Sequence, residues 1–153
     1  FISPTDYLRQ QGIRLKLNPL RHAIAGKRLV VCDDSIVRGN TSRKLVQLLR
    51  DGGAAEVHMR ITSPPVAWPC FFGIDTDSQE QLIASNHSVE EIRDFIGADS
   101  LAYLSLEGMV ESTGSSASEF CLACFNGDYP IEIPESVRRG KLALESCGER
   151  EGA

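Results

Sequence analysis

The run RLVVCDDSIVRGNTSRKLVQLLRDGGAAEVHMRI, residues 28–61, decides the fold. It opens with Arg28 to Cys32, an apolar and β-branched stretch bounded by Gly26 and an acidic pair, which predicts a short strand buried on both faces. Asp33 to Asn40 then reads as a loop, and Thr41 or Ser42 is placed to cap a helix. Leu45, Val46, Leu48 and Leu49 recur at helical spacing until Gly52 and Gly53 stop the pattern. From Glu56 to Ile61 the period changes to two, with Val57, Met59 and Ile61 on one face, and Ser63, Pro64 and Pro65 end the run. Strand, loop, helix and strand in that order make a βαβ unit. Its strands are expected to lie parallel, joined by the right-handed crossover that parallel sheets use.

The chain has 153 residues, 42% hydrophobic and 24% charged, which suits one domain with its own core and excludes the disordered and fibrous classes. With 16 Lys and Arg against 21 Asp and Glu, the formal net charge is -5. No overall positive field is available to neutralise a nucleic-acid backbone, so generic DNA or RNA binding is disfavoured. Apolar runs such as Leu29 to Cys32 fall far short of the roughly 20 residues needed to cross a bilayer, and no membrane role is expected. The opening FISPTDYLRQQ lacks the marks of a secretory signal, so a cytoplasmic location is expected. Residue 1 is Phe rather than Met, which suggests that the chain begins partway through a longer polypeptide.

On either side of the βαβ run the signals are weaker. Residues 1–27 mix basic and polar groups with Pro4, Gly12, Pro19 and Gly26, predicting an irregular lead-in with a short helix near Pro19 to Ala25. After Pro65, VAWPCFFGID reads as an ordered loop and Ser78 to Ala84 as a short helix. Ser88 and Glu91 form a capping box that opens a helix through Phe95, and Gly97 ends it. Leu101 to Leu104 is a strand candidate and Leu106 to Val110 a short helix. STGSSASE reads as a flexible connector, CLACFNGDYPIEIP follows, and from about Glu135 the charged tail is expected to fray. There are no internal repeats.

Five cysteines, at 32, 70, 121, 124 and 147, make an odd number in a chain expected to be cytoplasmic, where a disulfide framework is not maintained. Cys121 and Cys124 form a CLAC pair, whose thiolates can bind one face of a metal ion or cluster while Cys70 supplies a third ligand. The alternative is that such cysteines pack as small hydrophobes, which is the reading for Cys32 inside RLVVC. Cys147 lies in the polar tail and is read as incidental.

The chemistry is concentrated in VVCDDSIVRGNTS, residues 30–42. Ligands of open α/β sheets bind beyond the carboxyl ends of the strands, and the N–H groups of a helix start hold phosphate. Gly39, Asn40, Thr41 and Ser42 are therefore candidates to cradle a phosphate, with Arg38 as cationic support. Adjacent Asp33 and Asp34 would face opposite sides of a continuing strand, an arrangement that suits gripping a polyol and its metal better than sharing a proton. A vicinal diol with a phosphate fits ribose 5-phosphate. The plainer alternative, that the acidic pair only ends a strand and caps a turn, leaves the following glycine and hydroxyls unexplained. Neither the GxxxxGK[ST] spacing of a P-loop nor the GxGxxG of a dinucleotide site is present.

This run resembles the motif with which type I phosphoribosyltransferases bind 5-phosphoribosyl pyrophosphate, PRPP. FISPTDYLRQQGIRLKLNPL, SRKLVQLLRDGGAAEVHMRITSPP, WPCFFGID, NHSVEEIRDFIGADSLAYLSLEGM and CLACFNGDYP resemble, in that order, the C-terminal third of the amidophosphoribosyltransferases. These are the glutamine-dependent enzymes of the first committed step of purine synthesis, and the resemblance covers residues 1–134. It implies an α/β type I phosphoribosyltransferase fold, a parallel sheet flanked by helices and truncated at its N-terminus, over residues 1–112. Within it, residues 1–27 would be the flexible-loop and lead-in segment. A connector and CxxC segment would follow at 113–134, and a disordered tail at 135–153.

The resemblance also implies the reaction: ammonia released from glutamine displaces pyrophosphate from C1 of PRPP, giving 5-phosphoribosylamine. Asp33 and Asp34 would hold the ribose hydroxyls and assist Mg²⁺, and Ser35 through Ser42, including Val37, Arg38, Gly39, Asn40 and Thr41, would form the phosphate loop. Asn40 stands where the family usually has Thr, and its amide can still donate to phosphate. One subgroup carries a 4Fe-4S cluster as a structural clasp; Cys70, Cys121 and Cys124 match its ligands, the fourth lying upstream of Phe1. The amide-hydrolysing domain with its nucleophilic cysteine is missing, so the chain alone is expected to be inactive. Implied partners are PRPP, glutamine-derived ammonia, the missing glutaminase domain, nucleotide feedback inhibitors and further copies in a homo-oligomer.

Two rivals share parts of this pattern: a non-catalytic PRPP-binding regulator using the same loop, and a zinc-binding interaction module built on Cys70, Cys121 and Cys124. His22, His58 and His87 are isolated and read as structural or surface groups. Trp68, Phe71 and Phe72 could stack on a base, yet beside Pro69 and Cys70 they read as a hydrophobic shell. Arg14, Lys16, Arg21, Lys27 and Arg28 form either a solvated face or a contact to polyphosphate.

Overall fold

Both strands of the quoted run form, and they pair in parallel as the βαβ reading requires. The computed structural model describes residues 19–74, 76 and 78–135. The lead-in before Pro19, with Arg14 and Lys16, and the tail with Cys147 lie outside the described residues. In chain order come α1 (Arg21–Ile24), β1 (Arg28–Asp33), α2 (Asn40–Asp51) and β2 (Glu56–Ile61). A 3-10 turn at Gln79–Gln81 precedes α3 (Ile83–Asn86), α4 (Val89–Ile96), β3 (Ser100–Tyr103) and α5 (Leu106–Glu111). A second 3-10 turn, Ala117–Glu119, lies inside the stretch expected to be a flexible connector, and α6 (Ala123–Asn126) follows.

The sheet has the order β1-β2-β3 and is parallel throughout, with Val31 opposite Met59 and Met59 opposite Leu101. Val31, Val57, Met59, Ile61, Leu101 and Tyr103 share the face on which Val46 and Leu49 of α2 and Ile92 and Ile96 of α4 pack. Burying each large member of that cluster is worth about 1.5–3 kcal/mol, and Val57 and Met59 are completely buried. Between the two 3-10 and helical turns, Leu82 leaves helical geometry. That break splits the single helix expected over Ser78 to Ala84, and it lets Leu82 and Ile83 both be buried while the Ile83 N–H reaches the Val37 carbonyl.

β1 departs from expectation. It is not buried on both faces: Arg28, Val30 and Cys32 alternate outward, Val30 at 68% exposure, and Cys32 is an exposed free thiol rather than a core hydrophobe. The reason is that the helices among the described residues pack on one face of the sheet only, so the other side chains of β1 have no layer over them. On the other face lies a polar chain. Arg60 donates to Ser100 Oγ at 3.0 Å, Ser100 Oγ lies 2.9 Å from His58 Nδ1, and His58 Nε2 lies 2.8 Å from Glu56 Oε2, which also accepts from Arg28 Nε at 2.7 Å. Arg28 and His58 together hold the Glu56 carboxyl below its ordinary range.

α4 is capped as its sequence requires, the Glu91 N–H donating to Ser88 Oγ at 3.2 Å and the Ser88 N–H to Glu91 Oε2 at 2.7 Å. After it, Asp99 locks the packing: Oδ2 accepts the Val57 N–H at 2.6 Å and Arg50 Nη2 at 2.9 Å, while Arg50 also donates to the Gly97 carbonyl at 3.1 Å. One carboxylate thus ties the end of α2, the start of β2 and the approach to β3. The Val57 N–H and then Arg50 hold its pKa below the ordinary aspartate value.

Asp99→Ala is therefore expected to destabilise the protein by about 1–3 kcal/mol at neutral pH. A group whose folded pKa is depressed stabilises above its unfolded pKa, near 4, and loses that contribution as pH falls through the folded value. Urea unfolding of the intact protein should accordingly show the gap between wild type and Asp99→Ala closing below about pH 4.

Candidate functional site

β1 ends at Asp33, whose carbonyl accepts both the N–H of Thr62 at 3.0 Å and its hydroxyl at 3.3 Å, pinning the strand end to the end of β2. The chain then bends away. The Asp34 N–H donates to Asp33 Oδ1 at 3.0 Å and Ser35 Oγ to Asp34 Oδ1 at 3.2 Å, so one oxygen of each carboxylate is engaged locally. The other oxygen of each has no partner among the described residues. Asp33 is half-buried and Asp34 exposed, beside half-buried Ser35. Ile36, 1% exposed, plugs the loop into the core, and Val37 accepts the Ile83 N–H at 2.9 Å. Arg38 is exposed.

Gly39 then reverses the chain at φ 76°, in the left-handed region that glycine enters without penalty, and α2 begins at Asn40. Here the expected cap fails: neither Thr41 nor Ser42 caps the helix. The N-cap is Gly39, which has no side chain to accept a hydrogen bond, and both hydroxyl residues fall inside the first turn. Among the described residues the N–H groups of Gly39, Asn40, Thr41 and Ser42 donate to nothing. Glycine at the cap in place of Ser or Thr costs only a few tenths of a kcal/mol. The contrast with α4 is within one chain: that helix has a capping box and Glu90 and Glu91 in its first turn, whereas α2 has no acidic residue there. What remains at α2 is the positive end of a helix dipole with open donors, flanked by two carboxylates, an arrangement chemically able to hold an anion.

A second group of candidates lies apart from this loop. Cys70 and Cys124 are half-buried, Cys121 is exposed, and all three are free thiols. Burial raises the Cys124 pKa above the ordinary thiol value, and the charges of nearby Cys70 and Cys121 add to it, so the three share a neighbourhood. The Cys124 carbonyl accepts the N–H groups of Ala67 and Trp68, both at 3.1 Å, and the Phe72 N–H donates to Cys70 Sγ at 3.4 Å. Tyr129 donates to the Pro69 carbonyl at 2.8 Å and its ring lies 5.2 Å from that of Phe71. Among the described residues no three His, Cys, Asp or Glu side chains converge to hold one metal ion.

The remaining candidates resolve simply. Trp68 packs so closely on Gly127 that a Cβ there would stand 2.8 Å from its ring, and Phe71 and Phe72 face Tyr129, so these aromatics form a shell. His58 belongs to the polar chain on the open sheet face and His87 Nδ1 lies 3.2 Å from the Ile83 carbonyl, while His22 is exposed. Arg21 donates to the Asp51 carbonyl and Arg28 pairs with Glu56 at the N-terminal end of β1, opposite the phosphate loop, which removes both from any polyphosphate contact there. Sequence reasoning missed Thr62, Ile83, Arg43 and Phe95 as neighbours of the loop. Only their apolar, hydroxyl or cationic character marked them, and that is shared with ordinary core, turn and surface residues. Among the described residues no helix is long and apolar enough to cross a membrane.

No protein-family model matches the chain. It is 64% identical over 146 residues to an amidophosphoribosyltransferase of Synechococcus elongatus, covering 95% of this chain and 30% of the relative. The amidophosphoribosyltransferase of Bacillus subtilis is 56% identical over 137 residues, covering 87% and 29%. Among solved structures, that of the allosteric regulatory enzyme of purine biosynthesis matches with a TM-score of 0.76 at 55% identity, over 90% of this chain and 30% of that one. The glutamine PRPP amidotransferase of B. subtilis, complexed with ADP and GMP, matches with a TM-score of 0.75 at 56% identity, over 88% and 30%. The chain thus spans about 30% of the length of the amidophosphoribosyltransferases to which it is similar along nearly its whole length, and its parallel sheet with flanking helices has their phosphoribosyltransferase fold.

Proposed function

We propose that this chain is the PRPP-binding part of an amidophosphoribosyltransferase, the enzyme that makes 5-phosphoribosylamine, pyrophosphate and glutamate from PRPP and glutamine. The observation that carries the reading is the uncapped start of α2, whose open N–H groups stand beside Asp33 and Asp34 at the carboxyl end of β1. In this reading the amides of Gly39 to Ser42 hold the 5-phosphate, with Ser35, Val37 and Arg38 completing the loop. Asp33 and Asp34 accept hydrogen bonds from the two ribose hydroxyls. Ammonia, formed by the glutamine-hydrolysing part of the protein, gives its electron pair to C1 as the C1–O bond breaks. The bonding pair leaves with pyrophosphate, and the surplus proton passes to water.

The free oxygens of Asp33 and Asp34 fit Mg²⁺, which typically takes one or two carboxylates and completes its shell with water and substrate oxygens. Bound there, it would neutralise the charge that builds on the departing pyrophosphate. Because the solved B. subtilis enzyme is a complex with ADP and GMP, and such nucleotides carry a ribose phosphate, we read purine nucleotides as competitors at this loop. A cytoplasmic location suits the four free thiols among the described residues.

We read Cys70, Cys121 and Cys124 as three ligands of a 4Fe-4S cluster, because Cys121 and Cys124 form a CxxC pair and the Ala67 and Trp68 N–H groups tie the loop that carries Cys70 to the Cys124 carbonyl. The Phe72 N–H on Cys70 Sγ and the aromatic shell are the surroundings such sulfurs need. Its chemistry would be structural, clasping the segment around α6 to the loop from Ala67 to Thr76.

Two measurements test these readings on the intact protein. Asp33→Ala should abolish phosphoribosylamine formation while glutamine hydrolysis persists without stimulation by PRPP; wild-type synthesis by this variant would refute the site. Iron and acid-labile sulfide should be present in about equal amounts and fall in Cys124→Ser, whereas zinc without iron would overturn the cluster.

A further inference from the structure

The floor beneath Gly39 is supplied by residues far from the motif. A Cβ on Gly39 would stand 3.0 Å from Ile83 Cδ1, 3.0 Å from Phe95 Cε1 and 3.2 Å from Phe95 Cδ1, so both side chains press on this backbone. Ile83 also fixes the preceding turn through its N–H on the Val37 carbonyl, at 2.9 Å. Arg43 closes the ring of contacts: its N–H donates to the Gly39 carbonyl at 2.9 Å and its guanidinium lies over the Phe95 ring, 5.2 Å from the centroid. Phe95 is 37% exposed and stands outside the central core cluster that holds its helix neighbours Ile92 and Ile96. Its packing is directed at the loop, and core stability accounts for little of it.

Backbone donors have no rotamers with which to re-aim themselves. Four amides can meet one phosphate only if the turn ahead of them keeps a fixed curvature, and a glycine turn is the conformation least able to fix itself. Ile36 anchors the near side of the loop in the core, and the far side rests on Ile83 and Phe95. We propose that Ile83 and Phe95 are positioning residues for the phosphate loop, holding the turn from Val37 to Gly39 so that the amides at the start of α2 face a single phosphate. This rests on the reading of that loop as the PRPP site. Phe95 acts in two ways, as a wall against Gly39 and as the seat of Arg43, which is itself bonded to Gly39.

Steady-state kinetics of the intact protein in PRPP and in glutamine, with thermal unfolding alongside, tests this on Phe95→Ala, Ile83→Ala and Phe95→Tyr. Phe95→Ala and Ile83→Ala are expected to raise KM for PRPP about tenfold, the effect of misaligning a bound group, while kcat and KM for glutamine stay within about twofold. Phe95→Tyr, which keeps both the wall and the ring face, should restore wild-type KM. If Phe95→Ala does not fold, Phe95→Leu carries the test, with KM for PRPP still raised because the seat of Arg43 is lost. An unchanged KM for PRPP in the folded variants overturns the proposal, as does a parallel fall of PRPP and glutamine turnover with melting temperature. Asp33→Ala separates the two levels. Loss of synthesis there with wild-type KM in Phe95→Ala sinks only the positioning role, whereas retained synthesis in Asp33→Ala sinks the reading of the site itself.

Discussion

Two parallel strands cannot be joined by a tight turn, and the pairing of β1 with β2 forces the chain to climb back along α2. That constraint creates the site. Because the crossover helix must start where β1 ends, the positive end of its dipole and its unbonded first-turn amides are delivered to the carboxyl edge of the sheet, next to Asp33 and Asp34. Parallel pairing fixes where α2 must start, whereas the acidic pair and the bare cap belong to this crossover alone: α4, which lies between the parallel strands β2 and β3, starts with a full capping box. Everything else described supports the site: Thr62 pins the strand end, Ile36 pins the loop, and Asp99 with Arg50 holds the far end of α2 against the sheet.

Much of this architecture was legible because local signals and tertiary demands agree. The switch of hydrophobic period from Val46 and Leu49 to Val57, Met59 and Ile61 marks a change of element, and the reciprocal Ser88 and Glu91 pair marks a helix start that forms as read. Disagreement arose where one of those demands was hidden. Thr41 and Ser42 have the chemistry of caps, yet the chain places Gly39 at the cap and leaves the donors open. A local stability rule is broken there, as is expected where a helix start serves the proposed function rather than the fold. The run RLVVC reads as doubly buried, because periodicity reports apolar character and says nothing about how many layers cover a sheet.

The side chains that press on the loop from behind were illegible for a different reason. Ile83 and Phe95 look in sequence like any apolar residues of short helices, and only the packing reveals that they bear on Gly39. The cysteines were legible as a group but not in their geometry: spacing marks Cys121 and Cys124 as a pair, while their nearness to Cys70 depends on Ala67 and Trp68 hydrogen-bonding to the Cys124 carbonyl. Such contacts join segments remote in sequence, and one-dimensional periodicity carries no record of them.

The outward side of β1 has a further implication. Among the described residues it presents a row of unshared peptide groups, with Val30 and Cys32 exposed on the uncovered face, and no lysine, proline or bulge interrupts the strand between Arg28 and Asp33. Such a margin is a template on which identical strands can add to one another.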